Sequence, residues 1–436
     1  MKKRPSKQVF IILGILASLF ALVMFTLEFY VAYVLLSYKR VGTREIEVNQ
    51  QSAIAINLND IGTKEFTITT FNIGFGAYSR PYSFFMDEGE YKEEFISVNK
   101  SKTTKGIYAK GLSKEDTIKN TKGAFEMIKK QVDEENNPLV DFALYQEVDI
   151  RSHRAYKINQ FEEAILTHPS YSYTRAINYD SAYLAYPFND PIGASKSAVA
   201  TFSRYKIESA KREELPISTG FSKLFDLDRC YSKHEFKIEG SSKKLFIYNV
   251  HLSAYDATGE IRSGQMKKLK ADIKDTLDWN GVQNYVVVGG DFNHDLVVDN
   301  PLYDINTIPW WDNYEIDGTK ASWYNYFRLG GNLSADGEKD FVVEDHIKAF
   351  TGVNIPTCRD ASVPYGDLNN NGILDNFVVS IDGFLVSDNI EVIETVTIGS
   401  GGHNEVEETL ESGAPGAGFG FIYSDHNPVK MRFKLT

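Results

Sequence analysis

Hydrophobic and polar positions divide this chain near residue 40. Ahead of that point, "VFIILGILASLFALVMFTL" (9–27) is an unbroken apolar run of 19 residues, followed by Glu28 and "FYVAYVLLS" (29–37). About 20 apolar residues of helix cross a bilayer core, so residues 9–37 predict a transmembrane anchor. A signal peptide would have a shorter apolar region and a small-residue cleavage site after it. Residues 38–64 are mixed and polar and read as a tether. Beyond them, short apolar runs take over. Strands are expected at 65–76, 141–149, 197–203, 243–253, 284–290, 375–387 and 429–435. Two helices are expected at 113–136, capped by Ser113, and around 261–278. Strands outnumber helices and no repeat is evident, so residues 65–436 predict one layered α/β or α+β domain with sheets at its centre.

Charge and composition narrow the function. The first 40 residues hold six Lys/Arg and one acid, and the remainder carries a net charge of -17. A body this acidic is not a general coat for nucleic-acid phosphates, although a metal can bring the positive charge to a phosphate substrate. The basic flank of residues 1–8 predicts an N-terminus inside and the large domain outside the cell membrane. Two cysteines, Cys230 and Cys358, make no disulfide framework; they either pair once or are two buried thiols. No G-x-S-x-G elbow is present for a serine hydrolase.

Polar residues recur where apolar strands end. "VVVGGDFN" (286–293) closes a buried run with two glycines, then Asp291 and Asn293. Asn72 follows "TITTF", Glu147 follows "FALYQ", His251 ends "LFIYNV", and "YSDHNPV" places Asp425 and His426 before the last strand. Each alone reads as a capped turn or a satisfied core polar group. Together they point to a loop-borne active site at strand ends.

The ordered set "TTFNIG", "LYQEV", "YNVHL", "GGDFN", "SIDGFLVS" and "YSDHNPV" resembles the endonuclease/exonuclease/phosphatase family over roughly residues 66–436. The resemblance implies a four-layer sandwich of two central mixed β-sheets flanked by helices, here preceded by one transmembrane helix. It implies metal-dependent phosphoester hydrolysis with Mg²⁺ (or Mn²⁺). By the same resemblance Glu147 matches the principal metal carboxylate, Asn72 its neighbour on metal and phosphate, and Asp425 a further metal ligand. Asp291 matches the group that activates water, and Asn293 its phosphate-binding companion. His426 matches the histidine on the scissile phosphate, Asp382 its orienting aspartate, and His251 a phosphate contact or acid. Arg262, early in the helix after "HL", is a further substrate-binding candidate. Gly383 after Asp382 departs from the family pattern, and no residue is assigned as the family's tyrosine.

The substrate class stays open at this point. Nucleic acid is slightly favoured over a phospholipid headgroup, with an inositol phosphate third and an inactive tethered binding module as the non-enzyme reading. The bilayer is a partner through the anchor, and no protein partner is implied. Finally, "DLNNNGILD" (367–375) places Asp367, Asn369, Asn371 and Asp375 at calcium-loop spacing without the closing Glu. It is either an Asn/Gly turn or a structural Ca²⁺ loop.

Overall fold

A computed structural model of the chain describes residues 7–37, 40–92, 101–133, 138–218, 228–254, 260–279, 281–294, 296, 315–316, 319–320, 347–352, 355–366, 376, 378–399 and 419–436. The calcium-loop candidates Asp367, Asn369, Asn371 and Asp375 lie outside the described residues. The principal elements are α1 (Lys7–Ser37), β1 (Phe66–Asn72), α2 (Lys114–Lys129), β2 (Phe142–Asp149), α3 (Gln160–Thr167), β3 (Ser172–Asp180), β4 (Lys196–Ser203), β5 (Ser209–Glu214), β6 (Cys230–Glu239), β7 (Lys244–His251), α4 (Glu260–Leu277), β8 (Tyr285–Asp291), β9 (Asp382–Ser387), β10 (Ile390–Thr397) and β11 (Val429–Leu435).

The strands form two mixed sheets. One has six strands in the order β10-β11-β1-β2-β4-β3. The other has eight, with β5-β6-β7-β8-β9 at its heart and short edge strands at Arg44–Glu45, Ile56–Asn57 and Ile347–Phe350. Each sheet contains one long parallel pair, β1 with β2 and β7 with β8. A parallel pair needs a crossover, and α2 and α4 supply them. Ser113 caps α2 by accepting from the Asp116 N–H at 3.0 Å. The helix stops at Lys129, short of the expected 136, because Val132 turns away to bridge Pro138.

Three apolar layers hold these parts together. Phe66, Ile68, Phe142 and Leu144 of one sheet meet Leu245, Ile247, Tyr285, Val287 and Phe384 of the other. Phe71, Ala143 and Tyr145 face away and pack on α2 and α3 through Phe125, Ile128 and Phe161. Phe246, Tyr248, Val286 and Val288 pack on Met266, Leu269 and Ile273 of α4. Alternate residues of one strand thus serve two different layers, as the period-2 geometry of a strand requires. The architecture is the helix–sheet–sheet–helix sandwich expected from the resemblance, with one apolar helix of 31 residues ahead of it that is long enough to cross a membrane.

The segment read as a tether contributes structure. Arg44–Glu45 pairs with β5, and Ile56–Asn57 runs parallel to β6. Fully buried Arg212 fixes this edge by donating to the carbonyls of Val41, Ile177 and Asp228.

A buried histidine crosses the central layer. His234 on β6 donates through Nδ1 to the Ile247 carbonyl (3.0 Å), so its Nε2 accepts from Thr174 Oγ1 of the opposite sheet (2.7 Å). Burial pushes its pKa down to about 4. The neutral form is the folded form, so its stabilising effect is complete above the ordinary histidine value and is lost as pH falls from about 6.5 toward 4. At pH 5 this one site should cost on the order of 1–2 kcal/mol relative to pH 7. A His234→Gln variant should therefore lose less thermal stability than the parent between pH 7 and pH 5. An equal loss in parent and variant would contradict the assignment.

Candidate functional site

The inner faces of the two sheets change character along their length. On β1 the inward series is Phe66, Ile68, Thr70, Asn72. On β7 it is Leu245, Ile247, Asn249, His251, and on β8 it is Tyr285, Val287, Gly289, Asp291. Apolar positions give way to a layer of neutral polar groups and then to ionisable ones. The neutral layer is cross-linked between the sheets. Gln146 Nε2 donates to Asn249 Oδ1 (2.7 Å) and to Thr70 Oγ1 (3.1 Å), and Asn249 Nδ2 donates to the Ala200 carbonyl (3.0 Å). Buried amides without partners would be costly; here each is engaged, so the layer fixes the register of one sheet against the other.

The two glycines of "VVVGGDFN" are required by close approach. A Cβ on Gly289 would stand 2.7 Å from Leu144 Cδ1 across the central layer. One on Gly290 would stand 2.1 Å from the Val250 carbonyl oxygen of the neighbouring strand. Three residues after Gly290 the backbone turns left-handed at Asn293 (φ 48°), and the Asn293 N–H donates to Asp291 Oδ1 at 2.9 Å.

The ionisable layer is a single buried cluster. Asn72 Nδ2 donates to Asp291 Oδ2 at 3.0 Å and stands 3.4 Å from both Glu147 Oε1 and His426 Nε2. Its Oδ1 accepts from the Gly74 N–H, which fixes the amide's orientation. His426 Nδ1 meets Asp382 Oδ2 at 2.8 Å, and its Nε2 lies 3.8 Å from Asp291 Oδ2. His251 Nε2 lies 3.5 Å from Asp291 Oδ2 and 3.8 Å from Glu147 Oε1. Asp382 begins β9 directly opposite Asp291 in the ladder, and its N–H donates to Thr357 Oγ1. Ser424 donates to the Asn72 carbonyl and accepts from the His426 N–H, tying the last loop to β1.

Glu147 reaches the cluster through a β-bulge. The register of β2 against β4 shifts between Tyr145 and Val148, and Glu147 has φ 55°. A left-handed backbone costs a glutamate roughly 1–3 kcal/mol, and such strain concentrates at functional sites. The bulge also leaves Glu147 half-buried while Asn72, Asp291 and Asp382 are buried.

Electrostatics separate the groups. Burial pushes Asp291 up to about 6, with His426 partly opposing it. Burial works against a charge on His426, yet Asp382, Asp425 and Asp291 around it carry its pKa well above the ordinary value. Burial drives His251 well below the ordinary value, reinforced by Arg229, His426 and Arg154. One histidine is therefore cationic and the other neutral within a few ångströms. Burial raises Glu147, opposed by Arg154 and reinforced by Asp425. Asp291, Asp382 and His426 each offer a donor atom within 4.8 Å of the others, a group able to hold a divalent cation.

No family model matches the chain, and no curated protein matches it. Solved structures resemble it in overall shape. An endonuclease/exonuclease/phosphatase family protein of Bacteroides thetaiotaomicron shares 12% identity and a TM-score of 0.45, covering 85% of this chain and 98% of its own. A mannosyl-6-phosphatase of Bacteroides thetaiotaomicron VPI-5482 shares 12% identity and a TM-score of 0.45, covering 84% and 99%. TDP2 of Caenorhabditis elegans shares 14% identity and a TM-score of 0.44, covering 87% and 77%.

The structure thus brings Asn72, Glu147, His251, Asp291, Asp382 and His426 together. Asp425 adjoins them, half-buried, with its Oδ1 accepting from Ser424. Asn293 and Arg262 stand behind this group. Asn293 Nδ2 donates to the Leu252 carbonyl (2.9 Å), and Arg262 Nη1 donates to the Asn293 carbonyl (3.4 Å). Both therefore hold the turn that carries Asp291. Sequence reasoning missed Cys358, whose Sγ lies 3.5 Å from His426 Nε2, and Thr357 beside it. Neither cysteine is in a disulfide. An isolated bridge from Cys358 to His426 places the thiol, and no spacing in the chain signals it.

Gly290→Ala should destabilise the domain by about 3 kcal/mol, because the new methyl meets a ladder carbonyl that cannot move away. Urea denaturation of the variant checks this. A loss under about 0.5 kcal/mol, the level of an uneventful surface change, would show that the β7–β8 ladder is not close-packed at that point.

Proposed function

We propose that this chain is a membrane-tethered member of the endonuclease/exonuclease/phosphatase family and a divalent-metal-dependent phosphoester hydrolase, its catalytic domain spanning 65–436. The observation that carries the reading is the Asp382–His426–Asp291–Asn72 constellation, four side chains from four strand ends linked within hydrogen-bonding or near-contact distance. A buried acid–histidine pair beside a second, separately held carboxylate suits general-base hydrolysis better than ligand binding alone.

Asp291 is the base in this scheme. With its pKa near 6 it is ionised at neutral pH yet basic enough to take a proton from water. The Asn72 amide and the Asn293 N–H hold its two oxygens, so the carboxylate keeps one orientation. His426, cationic and oriented by Asp382, stabilises negative charge that develops on the phosphoryl oxygens. His251, kept neutral, acts as a hydrogen-bond donor to phosphate and not as a cationic acid.

Glu147 and Asp425 would hold Mg²⁺ or Mn²⁺, with the Asn72 amide N–H positioning the carboxylates beside them. The carboxylate donors are hard oxygen, as those ions prefer. Among the described residues neither carboxylate has a lysine or arginine within 4 Å, so both carry charge that a cation would compensate. When bound, the ion supplies charge neutralisation at the phosphoryl and leaving oxygens. The Asp291–Asp382–His426 triad is the less suitable metal set, because His426 Nδ1 and Asp382 are already bonded to each other.

Nucleic acid is the first substrate class. A phospholipid headgroup is the second, favoured by the exposed aromatic residues Tyr183, Tyr186 and Phe188 on the loop that touches α1. In this scheme α1 spans the cell membrane, with its basic flank inside and the catalytic domain outside.

The test is a hydrolysis panel on the full chain in phosphatidylcholine nanodiscs: DNA, RNA, sphingomyelin and inositol phosphates, each with Mg²⁺ or EDTA. Turnover of one class should require the metal. Asp382→Asn should lower it by about 100-fold or more with folding intact, and Glu147→Gln should raise the Mg²⁺ concentration needed for half-activity. A folded protein that binds one of these substrates without turnover would favour the binding module.

A further inference from the structure

The transmembrane helix and the catalytic domain share a contact whose depth can be worked out. At 1.5 Å per residue α1 is about 46 Å long, whereas a bilayer's hydrocarbon core is about 30 Å thick. Counting 20 residues from Val9, where the apolar run begins, brings the far edge of the core to about Glu28. The last turns of α1, from Phe29 onward, therefore stand at headgroup level. That placement leaves the Glu28 carboxylate at the boundary instead of in hydrocarbon.

These last turns hold the domain. Val34 is buried among Phe75, Phe84, Phe85, Leu184 and Ile192. The Tyr30 hydroxyl donates to the Tyr183 carbonyl at 3.1 Å and accepts from the Ala185 N–H at 2.8 Å. The loop between β3 and β4 is thereby fixed to α1 at the level where hydrocarbon meets headgroups. This loop carries three aromatic side chains left open to solvent: Tyr183 is 40% exposed, Tyr186 51% and Phe188 85%. The Phe188 ring lies 5.9 Å from that of Tyr186, and Tyr186 lies 5.8 Å from Phe85. Asp190 on the same loop is paired with Lys110, which reduces the cost of bringing the loop to an apolar surface. Aromatic rings with one apolar and one wet side collect at this depth of a membrane.

We propose that residues 183–188 seat in the interfacial layer of the bilayer that α1 spans, forming a second membrane contact beside the helix. This rests on the reading of α1 as a membrane span. Single exposed apolar residues are common on soluble proteins; three aromatics on one loop, hydrogen-bonded to the emerging helix, are a different case. The seat connects to the site. Rings in contact run from Tyr186 through Phe85 and Phe84 to Phe75, three residues after Asn72. The cluster around Asn72 is therefore held at a set height and angle over the lipid surface and does not swing on a free linker.

The experiment places the full chain in nanodiscs of phosphatidylcholine with brominated acyl chains, which quench indole emission in the membrane. Phe188→Trp reports the loop, Tyr183→Trp repeats the measurement from the loop's other end, and Leu19→Trp reports the middle of α1. Each is read as the emission added over the parent protein. All three additions should lose most of their intensity to the bromolipid, and the two loop reporters should resist aqueous iodide. Quenching at Leu19→Trp with none at either loop reporter, both remaining open to iodide, would overturn the seat and leave the anchor standing. No quenching at Leu19→Trp would overturn the anchor and the seat together.

Discussion

The site depends on two β-sheets held in fixed register across one apolar layer. Each sheet contributes a parallel pair, and the carboxyl ends of both pairs reach the same edge. The strand beginnings of β9 and β11 return to that edge, bringing Asp382 and the loop with His426. If β1 or β8 slipped by one residue in its ladder, Asn72 or Asp291 would exchange places with a residue that faces a helix. The Gln146–Asn249 hydrogen bond, one layer below, opposes such a slip, because a shift would strand two buried amides.

That edge is costly to maintain. Several carboxylates share a small, poorly hydrated volume; burial raises Asp291, Asp382 and Asp425, and neighbouring carboxylates add to the rise at Asp291 and Asp382. Glu147 sits in a left-handed backbone conformation that a glutamate rarely adopts. The three apolar layers outweigh these terms because they are extensive and the strained positions are few. The outcome is a set of groups whose charge states are pulled apart: a cationic His426, a neutral His251 and an Asp291 of moderate basicity. Such separation is what acid–base chemistry needs at a single pH.

Much of this was legible in the chain, for identifiable reasons. The strand runs ending in Asn72, His251 and Asp291 show because apolar strands stop abruptly at polar residues, and period 2 predicts which face those residues share. Glu147 shows in the same way after "FALYQ", but its bulge breaks the period that would place its side chain. The strand β5, "SAKREE", is not among the expected strands; it sits near the sheet edge, where Arg212 is satisfied by backbone carbonyls from three other segments. The segment 38–64 looked like a tether for the same reason, its pairing partners lying far along the chain. Cys358 and the aromatic loop at 183–188 depend on tertiary proximity, and nothing local announces either. The turn contacts of Asn293 and Arg262 are likewise tertiary, with Asn293 Nδ2 on the Leu252 carbonyl and Arg262 on the Asn293 carbonyl.

We infer one catalytic unit built by both sheets, with Asp291 and Asp382 from one and Asn72 and the His426 loop from the other. Groups that act on one transition state are strongly non-additive when removed. The most direct measurement is therefore single-turnover hydrolysis of bis(p-nitrophenyl) phosphate with Mg²⁺ by the full-length protein, comparing Asp291→Asn, His426→Gln and the double variant. The account predicts a deep loss for each single variant and a double variant little worse than the poorer single. Losses that multiply in the double variant, or single variants that retain full rate, would contradict it.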